Sequence, residues 1–279
     1  MGRITFKRYF KLLAIHAKMD FASLTRDTVF MLFFMFSDIL ANASAVSGLF
    51  LLAWRFGGLG SLDKFEVLFM LAYGNIITGI LNIWGGNNFV YPSRIIARGQ
   101  MEHMFIIPLP FFTQMTIGFY PFTCSSTFLT GVILMAVSVF NIGAVLPVWW
   151  ALALAANIII SVVITVALSY LVSTLAFYAP VQCEEISADV LYCALYTSQF
   201  PLSGMPAYIK YPLLTIFPAG LLAWLPAMII FGRSTAASNF YPLLFAAALT
   251  LCASYFFRKG LRYYVKKGIN RYHAGGHRR

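Results

Sequence analysis

YPSRIIARGQMEHMFIIPLP, residues 91–110, is the one substantial polar interruption in the middle of an otherwise apolar chain. Apolar segments long enough to span a bilayer lie on both sides of it. Pro92 followed by Ser93 reads as a helix start, and Gly99, Pro108 and Pro110 punctuate the rest. Two readings fit. One is a short helix at the cytoplasmic membrane surface, by which another protein grips this one. The other is an ordinary polar loop between two spans.

Composition bounds the surroundings of this stretch. Of 279 residues, 60% are hydrophobic and 10% charged, against about 25% charged in an average globular chain. A soluble protein of this length cannot bury so much apolar surface, so the chain reads as a polytopic membrane protein. Its net charge of +11 sits mainly at the two ends, beside apolar segments. Membrane lipids with anionic headgroups are the expected partner for such clusters. No nucleic acid is expected as a partner, because binding needs a basic groove or patch on a folded face. Cys124, Cys183, Cys193 and Cys252 form no CxxC pair and no zinc spacing, so buried structural cysteines are expected. A cleaved leader ending near Ala41-Asn42-Ala43 fits only superficially, since the apolar stretch runs on to Trp54.

Working outward, residues 3–27 form a basic amphipathic segment. Phe6, Tyr9, Phe10, Leu13, Ala17 and Leu24 share one helical face, opposite Lys7, Arg8, Lys11 and Lys18. That is the pattern of a helix lying in the membrane interface. The first span runs from Thr28 to Trp54. Asp38 lies well inside it, with Asn42 one turn on, and serves there either a function or a structural hydrogen bond. The second span, Glu66 to Phe89, carries Asn75, Thr78, Gly79, Asn82 and Gly86 on one face. Such a stripe packs against another helix or faces a substrate. Asp38, Asn42, Asn75 and Asn82 are thus the candidate intramembrane polar site.

Beyond residue 110, a third span is expected over Phe111–Phe140 with a kink at Pro121, and a fourth from Pro147 to about Tyr178. Glu184, Glu185 and Asp189 cluster at the cytoplasmic edge of a fifth, which begins near Ile186. Residues 206–232 are apolar enough to cross, yet Pro206, Pro212, Pro218 and Pro226 interrupt them. They read as two short helices dipping in and out of the outer leaflet. Asn239 to Phe257 is the last span, and 258–279 a basic cytoplasmic tail.

Charge tests this layout. It puts sixteen of the twenty Lys and Arg residues inside, leaving Arg55, Lys64, Lys210 and Arg233 outside. Two basic ends on one side demand an even number of crossings. The expected fold is therefore an all-α membrane protein with six transmembrane helices and a re-entrant hairpin.

Motifs for chemistry are absent from the sequence. There is no GxxxxGK[ST], so the chain has no P-loop with which to hydrolyse ATP. GxSxG and HExxH are missing too. Glu184-Glu185 has Asp189 where a CAAX-type protease needs arginine. His273 and His277 are separated by Gly275-Gly276 and suit a floppy tail better than a metal site.

The overall plan resembles that of an ABC-2 type permease, in particular a bacterial subgroup described as uncharacterised ABC transport system permeases. The residues carrying the resemblance are Ile96-Ala97-Arg98-Gly99-Gln100-Met101-Glu102 leading to Pro108-Leu109, Phe217-Pro218-Ala219-Gly220 with Leu225-Pro226 and Gly232, and Gly260-Leu261-Arg262-Tyr263-Tyr264. One departure is Ile107, where the subgroup commonly carries a basic residue. The resemblance implies an amphipathic N-terminal interfacial helix (1–27), a transmembrane domain (28–257) with a cytoplasmic coupling helix (91–110), and an outer re-entrant hairpin (206–232) before the last span.

It also implies a permease subunit of an ATP-driven transporter, a membrane protein of the bacterial inner membrane with both termini cytoplasmic. Two copies of an ABC ATPase subunit are implied partners, as is a second permease chain, identical or a paralogue. ATP and Mg would be bound by the partner ATPase, with no cofactor and no catalytic residue in this chain. Export of an amphiphilic or hydrophobic compound is the expected direction and substrate class. Arg94, Arg98 and Glu102 recur four apart and are expected to share one face of a short helix, either the docking face or, for the two arginines, a contact with lipid headgroups. Glu184 and Glu185 either pair with the basic N-terminal helix or touch the ATPase. The rival is an ion-coupled secondary transporter using Asp38, which lacks a visible internal repeat.

Overall fold

The computed structural model describes residues 6–84, 89–143 and 147–268. The protein is an all-α membrane protein whose helices stack around one central rod. Helix α1 (Phe6–Arg26) is the expected amphipathic segment and leads through Asp27 into α2 (Thr28–Phe56). Asp27 caps α2, its carboxylate accepting from the Phe30 N–H at 3.4 Å. A two-residue-per-strand hairpin, β1 (Gly58–Leu59) with β2 (Leu62–Asp63), turns the chain into α3 (Lys64–Ile83). That rod is α3: 78% of its apolar window is buried, against 6% for α2. The contrast leaves α2 to face lipid or another chain.

Two six-residue helices follow, α4 (Pro92–Ala97) and α5 (Met101–Ile106). The expected single coupling helix is therefore broken. The break is at Gly99, whose φ of 72° is in the left-handed region that side chains with a Cβ disfavour.

The expected third span is also interrupted more deeply than by a kink. Helix α6 (Phe111–Thr116) stops, and α7 (Ser126–Ile142) restarts after a non-helical stretch containing Pro121. Irregular backbone at membrane depth survives only when its polar groups find protein partners. Here the Tyr120 N–H donates to the Ile83 carbonyl at 2.9 Å. The N–H groups of Phe122 and Thr123 donate to the Asp20 carboxylate at 2.8 and 3.2 Å.

Helix α8 (Val148–Ser173) runs into a 3-10 turn at Thr174–Phe177. Then come α9 (Ile186–Ser198), α10 (Ala207–Thr215), a 3-10 turn at Pro218–Leu221 and α11 (Trp224–Ile230). The chain bends by 70° between α10 and the segment beginning at Pro218, as the prolines led one to expect. Finally α12 (Ala236–Lys267) continues ten residues past the expected end of the last span at Phe257, so the first part of the basic tail is helix. Pro242 falls in its second turn. His273 and His277 lie outside the described residues.

Among the described residues, four helices are long and apolar enough to cross a bilayer, or five if the bent pair counts as one span. The six expected crossings are not all single helices. The third is divided between α6 and α7, and α9 with 13 residues is only about 20 Å long, short of a hydrocarbon core of about 30 Å.

Packing follows the small residues. Helix α3 lies along α7, and α8 along α12. A Cβ placed on Gly79 would come within 2.5 Å of the Phe128 backbone, so this position of the predicted stripe is a helix–helix contact.

Candidate coupling and intramembrane sites

Helix α4 is held by its own chain on nearly every side. Pro92 opens it at a position where a missing N–H costs nothing. Ser93, fully buried, donates to the Glu184 carbonyl at 2.8 Å and lies 2.6 Å from the Ser187 hydroxyl. Arg94 Nε meets Glu185 Oε2 at 2.5 Å, and Arg98 Nε meets Glu184 Oε1 at 2.8 Å. A second Arg98 nitrogen is 3.6 Å from Glu185. The Arg94 guanidinium also sits 5.1 Å from the Tyr91 ring, a cation–π distance. Burial and the neighbouring Tyr192 push the Tyr91 hydroxyl pKa above its usual value.

Glu184 and Glu185 pair with Arg94 and Arg98, partners the sequence reading did not name. Asp189 sits exposed in the first turn of α9 and joins no ion pair among the described residues. Glu102 does not share a helix face with Arg94 and Arg98, because Gly99 separates α4 from α5. It is exposed on α5, where its carboxylate accepts from Tyr264 of α12 at 3.5 Å.

Beneath these polar contacts lies a second packed core. Ile95, Ile96 and Met101 are buried together with Phe111, Tyr170, Phe177, Phe257 and Tyr264. The rings of Phe257 and Tyr170 are 5.1 Å apart, and those of Phe257 and Phe177 5.3 Å. Close-packed cores transmit displacement because they have little room to deform. Residues of α4, α5, α8 and α12 are thus packed into one core. The outward surface is different in kind: Phe105, Ile106 and Ile107 are exposed, Ile106 to 80%. Ile107, the departure noted in the sequence, belongs to this apolar tip.

The intramembrane candidates divide. The Asp38 carboxylate accepts from the Ser126 hydroxyl and, at 3.2 Å, from that of Thr127. Both donors open α7, where the helix dipole favours negative charge. Asn42 donates to the Asp38 carbonyl at 2.8 Å and to Thr127 Oγ1 at 3.3 Å. Asp38 thus cross-links α2 to the restart of the broken span. Asp38 and Asn82 both line a polar cavity of about 570 Å³, with His16, Gln114 and Tyr120. Asn75 lies apart, buried two turns earlier on α3, its side-chain nitrogen without a partner among the described residues.

Two anchoring residues escaped the sequence reading. Asp20 is buried on the otherwise basic α1, and its carboxylate also accepts from the Thr123 hydroxyl at 2.6 Å. An acidic residue in register with Leu13, Ala17 and Leu24 was the available signal. At the opposite end, Arg233 donates to Glu66 at 2.7 Å and to the Ser61 carbonyl. No local pattern predicts that pairing across more than 160 residues.

No curated protein and no solved structure matches the chain. A family model described as ABC-2 family transporter protein matches residues 39–268. That span contains the α4–α5 unit, both cores and the bent hairpin, and it covers most of the sequence. The chain therefore belongs to the ABC-2 family of transporter proteins, as a multi-pass membrane permease.

Proposed function

We propose that this permease is the gate of an ATP-driven exporter and is moved by a separate ATPase docked under α5. The observation that carries the reading is the contrast within residues 91–110. One part is locked into the bundle by Ser93, Arg94 and Arg98. The next ends in an exposed apolar tip, Phe105-Ile106-Ile107. A lever needs one rigid attachment and one free contact.

In this reading two ATPase subunits bind ATP and Mg, close on each other, and displace the tips of two permease chains. The ion pairs and the aromatic core carry that displacement to α8 and α12. The basic end, with both chain termini, faces the cytoplasm of a bacterial cell across the inner membrane, in keeping with the positive-inside bias. The substrate is an amphiphilic or hydrophobic compound, and six crossings include the divided third and the short fifth.

The test is co-expression with a candidate ABC ATPase from the same genome. Co-purification and substrate-stimulated ATP hydrolysis are expected, and Ile106→Asp should abolish both while the chain still folds. If the chain alone drives flux down an ion gradient, and Asp38→Asn stops it without any need for ATP, the secondary-transporter reading replaces this one. The satisfied hydrogen bonds of Asp38 favour a structural role for it instead.

A further inference from the structure

At the basic end of the bundle, between α3, α8 and α12, lies a half-open cavity of about 580 Å³. That is inside the range of small-molecule sites, about 300–1,000 Å³. Its walls are mostly apolar, with Ile80, Val163, Ala167 and Phe257 among them. The few polar groups on its lining sort into two kinds. Some are already used: Thr250 donates to the Ala246 carbonyl at 2.7 Å, Thr116 to that of Phe112 at 3.0 Å, and Tyr9 to that of Thr116 at 3.3 Å.

The others are left over. The Tyr170 hydroxyl is buried with no hydrogen-bond partner among the described residues. That hydroxyl has no accessible surface and does not open on the cavity. Arg258 lines the same cavity, is exposed, and joins no ion pair among the described residues. Lys259 and Arg262 follow it on α12 and raise the local positive potential. An apolar trough with a single charged residue on its lining, the cation Arg258, is complementary to a long alkyl chain with an acidic head.

We propose that this cavity is a binding site for a single-chain anionic amphiphile, one with a carboxylate or phosphate head. Its alkyl chain lies along α3 and α8, and its head is held by Arg258. The proposal deepens the exporter reading by naming the substrate class, and rests on that reading only for calling the ligand cargo.

The experiment uses the purified full chain in neutral detergent, without ATP or ATPase. The probe is 11-(dansylamino)undecanoate, a fluorescent anionic amphiphile, read by energy transfer from tryptophan, since Trp84 lines the cavity. Saturable binding is expected. Palmitate and palmitoyl lysophosphatidate should displace the probe, while equal concentrations of hexadecyltrimethylammonium should not. Arg258→Gln should weaken binding roughly tenfold, the loss of one charge-assisted hydrogen bond. Val163→Trp, at a position 38% exposed, should fill the trough and block it without entering the core.

Displacement by the cation as readily as by palmitate would overturn the proposal. So would displacement by two-chain phosphatidylglycerol in preference to palmitate, which would mark a resident membrane lipid. Binding indifferent to both Arg258→Gln and Val163→Trp would overturn it as well. Any of these leaves the ATPase-driven reading standing, whereas failure to find an ATPase partner would leave the binding result untouched.

Discussion

Arginine–glutamate pairs tie both ends of this molecule, and the two ties differ in burial. At the end carrying the β-hairpin, Arg233 meets Glu66, whose side chain is only 9% exposed. Glu66 also accepts from the Asp63 N–H at 2.8 Å, closing a capping box on α3. At the basic end Arg94 and Glu185 are 27% and 43% exposed, and Arg98 and Glu184 47% and 16%, against 35% for Arg233 itself. Breaking a buried pair strands a charge, whereas exposed pairs are screened by water and contribute little. One end is tied mainly by that buried pair, whereas at the other the ion pairs are partly screened and the rigid hold on α4 comes from buried Ser93 and the core beneath it. That asymmetry suits a permease worked from its basic end.

The largest effect should come from the buried tie. Arg233→Ala leaves Glu66 with one backbone donor, and Arg233 also supports Ser61 of the hairpin turn. Because Arg233 is 35% exposed, we discount the full buried-pair penalty to about 1–3 kcal/mol. A melting point several degrees lower in detergent is the expected result. An unchanged melting point would show that this pair does not hold its end.

Asp20 tests whether charge or hydrogen bonding sets the strength of a tie. It joins no ion pair among the described residues, yet accepts three hydrogen bonds from residues 122 and 123. Asp20→Ala strands two backbone N–H groups in the broken span, at a cost of about 1–2 kcal/mol. Hydrogen exchange should rise in α1 and around Pro121 before it rises in α3. Uniform loss of protection across the bundle would argue that α1 is not an independent attachment.

The clamp between α4 and α9 should matter less for stability, about 0.2–1 kcal/mol for each exposed pair, and more for coupling. Arg94→Glu should uncouple ATP hydrolysis from substrate with little change in melting point. Adding Glu185→Arg should restore coupling, since the pair is internal. If the exchanged pair stays uncoupled, Arg94 is meeting the ATPase directly.

How much of this was legible beforehand depends on range. The amphipathic α1, the long spans, the bent hairpin and the small-residue contact at Gly79 rest on local periodicity and composition, so the sequence shows them. Breaks are local too, but their depth is not. Pro121 announces a disturbance, while the partners that let the helix stop there, Asp20 and Ile83, lie on other elements. Gly99 likewise marks a possible end of α4, but only its positive φ separates Glu102 from the two arginines. Glu184 and Glu185 were visible as a cluster, and their partners were assigned by a chain path that no spacing rule contains.

The smallest effect on the chain itself should come from its apolar tip, and there the two ends diverge most. Ile106 is 80% exposed and supports nothing beneath it, so Ile106→Asp should change stability by no more than about 0.5 kcal/mol. Docked in a groove, the same side chain would be a central anchor, and truncating such an anchor commonly costs about 2 kcal/mol or more, roughly thirtyfold in affinity. Glu102→Gln, held only by a long bond to Tyr264, is the control: its loss should leave melting point and ATPase affinity nearly unchanged. Titrating purified ATPase onto the reconstituted variants separates the cases. A tip that tolerates aspartate would move the contact back to the arginines, and with it the asymmetry between an end tied by a buried pair and one with partly screened pairs would lose its mechanical meaning.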